Sequence, residues 1–137
     1  MKEDKIMRNE LENLDMEKFI FTNGSAEHAQ NILTRLGIYD LFGKEKVFDI
    51  KDAGYVPKPE AQTFDLMIKK FGIKPKETIY IEDIAKNLST GFEKGCTTVW
   101  LINDEHFGKI DSDKDYISHK IENLSLFLKE IRLLKSK

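Results

Sequence analysis

Hydrophobic positions along the chain change period several times, and each change predicts an element. Met7, Leu11 and Leu14 recur at helical spacing and predict a short amphipathic helix over residues 7–14, leading into the strand-like run Phe19-Ile20-Phe21. After the turn pair Asn23-Gly24, Ser25 is placed to cap a helix whose face is Ala26, Ala29, Ile32, Leu33 and Leu36, and Gly37 sits where a left-handed terminal residue is wanted. Val47-Phe48-Asp49-Ile50 reads as a second strand. A loop over 54–59 follows, and then a helix over 60–71 with Phe64, Leu66, Met67 and Phe71 inward and Gly72 ending it. The unit then repeats, with a strand Thr78-Ile79-Tyr80-Ile81, a helix over about 87–94 and a strand over 97–102. Residues 116–121 predict a short edge strand, and Asn123 is placed to cap a final helix bearing Leu124, Phe127, Leu128, Ile131 and Leu134.

Strict alternation of strands and helices predicts an α/β fold with a mainly parallel sheet. With 137 residues, 40% of them hydrophobic, the chain predicts one domain able to bury a real core. Basic and acidic residues balance, 22 against 24 for a net charge of −2, so no global field recruits nucleic acid or an anionic membrane. No apolar run approaches the roughly 18 residues that span a bilayer. Met1 to Arg8 lacks the apolar stretch of a secretory signal, and the one cysteine, Cys96, forms no internal disulfide, so the expected compartment is the cytoplasm.

Ligands of open α/β sheets bind at the carboxyl ends of strands. Three polar clusters fall there. Thr22, Asn23, Gly24 and Ser25 offer a hydroxyl, backbone N–H groups and a helix N-terminus, all suited to a phosphoryl oxygen; the same residues also make an ordinary turn and cap. Lys58 stands between Pro57 and Pro59, which restrict its backbone, although an exposed loop lysine needs no function. Glu82 and Asp83 end an apolar strand, with Asn87 four residues after Asp83. Adjacent acids there suit a hard cation such as Mg²⁺, held by one or two carboxylates, waters and substrate phosphate, or else are two solvated carboxylates. Asn87 either orients a metal-bound water or caps the next helix.

Taken together, Phe21-Thr22-Asn23-Gly24, Pro57-Lys58-Pro59 and Ile81-Glu82-Asp83-Ile84-Ala85-Lys86-Asn87 resemble three of the four active-site motifs of the haloacid dehalogenase superfamily, in the family's order and spacing. Phe21-Thr22-Asn23-Gly24-Ser25, the Leu36-Gly37-Ile38 ending, Phe48-Asp49-Ile50, Val56-Pro57-Lys58-Pro59 and the Glu-Asp-x-x-x-Asn pattern look most like pyrimidine 5′-nucleotidase members. The resemblance implies a Rossmann-like three-layer α/β sandwich. It also implies hydrolysis of a phosphate monoester, such as a pyrimidine nucleotide, through an aspartyl-phosphate with Mg²⁺. Thr22, Asn23, Gly24 and Lys58 would bind phosphate, Lys58 would also orient the nucleophilic carboxylate, Asp83 would hold the metal, and Glu82 and Asn87 would support it.

The family's nucleophile comes from an Asp-x-Asp pair on a strand between those carrying the threonine and acidic motifs, and no residue here matches it. Asp4 and Asp15 follow no apolar run, and Asp111-Ser112-Asp113 lies in a charged stretch and reads as a solvated loop. The expectation is a core truncated at its N-terminus, inactive alone, whose gap is filled by a second chain carrying that strand and the cap, by self-association, or by direct pairing of the two strands left without their shared neighbour. The alternatives are a non-catalytic phosphate- or metal-binding regulatory protein and a decayed fragment. Acids that follow the hydroxyl and lysine run opposite to a two-component receiver domain. No Gly-rich dinucleotide or Walker motif occurs. His28, His106 and His119 are too scattered to suggest zinc, and Cys96 and Trp100 read as core.

Overall fold

A computed structural model describes residues 3–102 and 105–135. In chain order the main elements are α1 (Lys5–Glu12), β1 (Ile20–Phe21), α2 (Ala26–Leu36), β2 (Val47–Phe48), α3 (Ala61–Phe71), β3 (Ile79–Glu82), α4 (Ser89–Lys94), β4 (Thr97–Leu101), α5 (His106–Lys109), β5 (His119–Ile121) and α6 (Leu124–Lys135). Two compact units are formed, Met1–Tyr55 with Asn123–Lys137, and Val56–Glu122. The fold is α/β, and every strand pairing is parallel.

In the first unit, β1 and β2 lie side by side with Ile20 opposite Val47 and Phe21 opposite Phe48. The connecting α2 starts because the Ser25 hydroxyl accepts from His28 N at 3.1 Å, and it stops at Gly37, whose φ of 78° is left-handed. Asp4 does the same capping work for α1, accepting from Met7 N at 2.9 Å, so that helix begins earlier than its apolar spacing predicts. Leu11, Leu14, Leu33, Ile38, Phe42 and Leu128 form the core. Burying each of them is favourable by about 1.5–3 kcal/mol. Leu128 brings α6 back onto this core, and the Arg132 guanidinium donates to Glu10 Oε2 at 2.8 Å, joining α6 to α1.

The second unit holds the three-strand sheet in the order β3, β4, β5, with Ile81 opposite Val99 and Val99 opposite His119. The Phe64 and Tyr80 rings pack 5.7 Å apart. Gly91 of α4 lies so close to Tyr80 that a Cβ there would come within 2.5 Å of the ring.

Several expectations change. The strand read over 47–50 stops at Phe48, because Asp49 and Asp52 exchange side-chain and backbone hydrogen bonds (Asp49 N to Asp52 Oδ2, 3.0 Å; Asp52 N to Asp49 Oδ1, 2.9 Å) that curl the chain out of the ladder. Leu66 is exposed rather than inward: it lies about 200° around α3 from Phe64, off the stripe of Phe64 and Met67. Leu134, in the last turn of α6, is 70% exposed; α1, against which α6 packs, has eight residues to α6's twelve. The edge strand is His119–Ile121 alone. Before it, the Thr98 hydroxyl replaces the ladder, donating to Tyr116 O and accepting from Ser118 N. The side chain of His106 lies outside the described residues.

Candidate functional site

At the carboxyl end of β3, Glu82 is the hub. Its Oε1 accepts from Lys58 Nζ at 2.5 Å and from Asn87 Nδ2 at 3.3 Å, and its Oε2 accepts from the backbone N–H of Asp83 at 3.1 Å. Lys58 and Glu82 side chains are each only 8% exposed. A carboxylate can be buried here because a cation, an amide and a backbone donor replace its water. The tertiary structure thus brings together Lys58, Glu82 and Asn87, three of the residues singled out from sequence.

Neighbouring groups hold this hub. The Thr63 hydroxyl donates to Val56 O at 2.5 Å and the Thr90 hydroxyl to Pro59 O, so α3 and α4 both grip the loop that carries Lys58, in which the Lys58–Pro59 peptide is cis. Asp83 is exposed at the strand's end, and the Trp100 indole N–H donates to its carbonyl at 3.0 Å. Trp100 therefore positions the acidic turn as well as filling the core. Burial first, and then the Glu82 carboxylate, push the Tyr80 hydroxyl well above its ordinary range. The Trp100 contact is not visible in the linear sequence, because it depends on which strand lies beside β3.

Thr22, Asn23 and Gly24 belong to the first unit, directly after β1. Gly24 N donates to Thr22 Oγ1 at 3.0 Å. This occupies one of the two lone pairs of the Thr22 hydroxyl, which keeps its own hydrogen to donate. Gly24 itself has no left-handed φ; a Cβ there would make normal contacts with Thr22 and His28 at 3.4 and 3.5 Å. The N–H of Ala26, first in α2, donates to Asp49 Oδ2 at 2.9 Å, and that of His28 to Ser25. The helix N-terminus that composition offered to an anion is thus partly closed by Asp49, a residue read from sequence as part of a strand and of a subfamily pattern, with no site role. An acid ending an apolar pair was the signal available.

The donor set bears on a metal. Among the described residues no three of His, Cys, Asp and Glu gather into a complete cage. Asp83 supplies one exposed carboxylate, and Asn87 Oδ1 is buried without a hydrogen-bond partner among the described residues. Mg²⁺ commonly takes one or two protein oxygens and completes its octahedron with water and phosphate, so these residues fit one side of such a site. Glu82 does not add to that side, since both its oxygens accept from the chain.

Residues 8–93 match the model of a family described as hydrolase, haloacid dehalogenase-like hydrolase. The chain belongs to that family. A relative, the glyceraldehyde 3-phosphate phosphatase of Methanocaldococcus jannaschii, is 27% identical over 127 residues, covering 92% of this chain and 54% of its own length. Among solved structures, a HAD family hydrolase from Deinococcus radiodurans R1 with bound phosphate and sodium superposes with a TM-score of 0.72 at 19% identity, over 95% of this chain and 56% of that one. A β-phosphoglucomutase from Clostridium difficile follows with 0.61 at 18% identity, over 93% and 55%. These likenesses show a haloacid dehalogenase-like fold, and the chain spans about half the length of each. In the second unit, β3 lies at one end of the three-strand sheet. No helix among the described residues is long and apolar enough to cross a membrane.

Proposed function

We propose that the chain is the core portion of a Mg²⁺-dependent phosphate monoester hydrolase working in the cytoplasm. Its Asp-x-Asp nucleophile would come from polypeptide other than these 137 residues, so that it does not turn over alone. The observation that carries this reading is the buried Lys58–Glu82–Asn87 network, which fixes an ammonium at the carboxyl end of β3 beside exposed Asp83. Lys58 neutralises phosphate and Asp83 would hold Mg²⁺, which would offset phosphoryl charge; Thr22, in the first unit, offers its hydroxyl as a phosphoryl donor. Glu82 positions Lys58 and Asn87 rather than binding metal. Phosphatase naming of the relative in M. jannaschii supports a small phosphomonoester. The motif wording around Thr22, Phe48-Asp49-Ile50 and Lys58 favours a pyrimidine nucleotide within that class.

Calorimetry with inorganic phosphate and Mg²⁺, paired with phosphate-release assays on UMP, CMP and glyceraldehyde 3-phosphate, tests this. The expected result is Mg²⁺-dependent phosphate binding that Asp83→Ala abolishes, and no turnover until a polypeptide carrying the Asp-x-Asp strand is added. Turnover by the chain alone that disappears in Asp83→Ala would reveal a nucleophile within it. Absence of phosphate binding would remove the reading.

A further inference from the structure

The turn that carries Thr22 is tied at three points to β2 and the two residues after it. Thr22 N donates to Phe48 O at 3.0 Å, Ile50 N donates to Gly24 O at 3.1 Å, and Ala26 N donates to Asp49 Oδ2 at 2.9 Å. The first two are backbone bonds that many sequences could make. The third requires a carboxylate at position 49, and that carboxylate is costly: Asp49 is 8% exposed, and the acceptors of its side chain are met by the backbone N–H groups of Ala26 and Asp52. Nor does α2 need it as a cap, because Ser25 already accepts from His28 N. A buried charge kept where the helix is already capped, at the head of the turn bearing Thr22, calls for another role.

We propose that Asp49 is a positioning residue for phosphate recognition. By holding the first N–H of α2, it fixes where α2 begins, and so where the Thr22-Asn23-Gly24 turn sits and where the Thr22 hydroxyl points. Asp52 in turn orients Asp49 by donating its N–H to Oδ1 and accepting the Asp49 N–H, which leaves Oδ2 aimed at Ala26. Oδ2 also draws the Ala26 donor away from any anion, which leaves the Thr22 hydroxyl among the donors of this turn. This inference rests on the phosphate-binding reading above.

Two variants delete the tie from opposite ends. Asp49→Ala removes the carboxylate. Ala26→Pro keeps it and removes the N–H, at a first helical position that accepts proline well and after Ser25, whose φ of −79° and ψ of 158° suit a residue preceding proline. Asp4→Ala is the control: it removes the carboxylate cap of α1 in the same unit, with no bond to the turn. The readouts are calorimetric affinity for inorganic phosphate with Mg²⁺, thermal midpoint and amide exchange at Gly24.

The expected result is phosphate affinity about tenfold weaker in both Asp49→Ala and Ala26→Pro, with faster exchange at Gly24, while Asp4→Ala lowers the midpoint and binds as wild type. Wild-type affinity in both tie-deleting variants overturns the inference, as does an equal loss in Asp4→Ala. If Asp49→Ala does not fold, Ala26→Pro decides alone. Absence of phosphate binding by the unaltered chain is a different failure, that of the phosphate site itself, and takes this inference with it.

Discussion

Lys58 Nζ lies 2.5 Å from Glu82 Oε1, across 24 residues of sequence, with each side chain only 8% exposed. Such a pair gains little overall from its own attraction, because removing two ions from water offsets most of it, but each partner depends heavily on the other. The cost appears when one is deleted.

Glu82→Ala is therefore expected to destabilise the protein by about 3–5 kcal/mol, leaving a buried ammonium uncompensated. Asp83→Ala, at an exposed position one residue on, should cost less than Glu82→Ala. Urea unfolding of the two variants checks this; a smaller loss for Glu82→Ala than for Asp83→Ala would contradict the buried pair.

Gly91→Ala should cost about 1–3 kcal/mol, since its Cβ would come within 2.5 Å of Tyr80 Cδ2 and the ring, packed on Phe64, has little room to retreat. In a Tyr80→Ala background the same substitution should cost nothing further. A double-mutant cycle by thermal unfolding measures this coupling.

Glu10 gives an acid dependence. The Arg132 hydrogen bond, against the opposing effect of burial, holds its carboxyl below the usual glutamate range. With the folded value depressed, the bond contributes its full stabilisation above the unfolded glutamate range of about 4.3 and loses it as pH falls through the lower folded value. Glu10→Gln should thus be less stable than wild type at pH 7, with the two converging as acid is added. Unfolding midpoints across that titration test it, and a gap that widens in acid would refute the sign.

Burial pushes the Cys96 thiol up to about 11. Its folded value exceeds the unfolded value of about 8.5, so the group favours the folded state below that pH and withdraws the contribution as pH rises above it. A thiol reagent at pH 8 should react with native protein only slowly, and at the full rate in denaturant. Rapid labelling of the folded chain would show Cys96 to be accessible.

Much of the local structure was legible because it is set by residues a few positions apart. Ser25 and Gly37 bound α2, and Gly72 ends α3 with a left-handed φ of 64°, each from a preference written in its own side chain or lack of one. The strand over 47–50 was overread, since alternation cannot show that Asp49 and Asp52 bond to each other and end it. The site divides in the same way. Thr22, Lys58 and Asp83 stood out through residue type and order, whereas Trp100 as the anchor of the Asp83 carbonyl left no linear sign.

By itself, then, the sequence determined the alternation of strands and helices, their main caps and the three polar turns at strand ends, because these follow from periodicity and from backbone preferences acting within one or two turns of chain. Only the tertiary structure decided that Glu82 pairs with Lys58 and Asn87 and that Asp49 takes the first N–H of α2. Those choices join residues distant in sequence. A buried charge selects its partner by where the packed strands and helices deliver donors, a property of the assembled fold that no single segment carries.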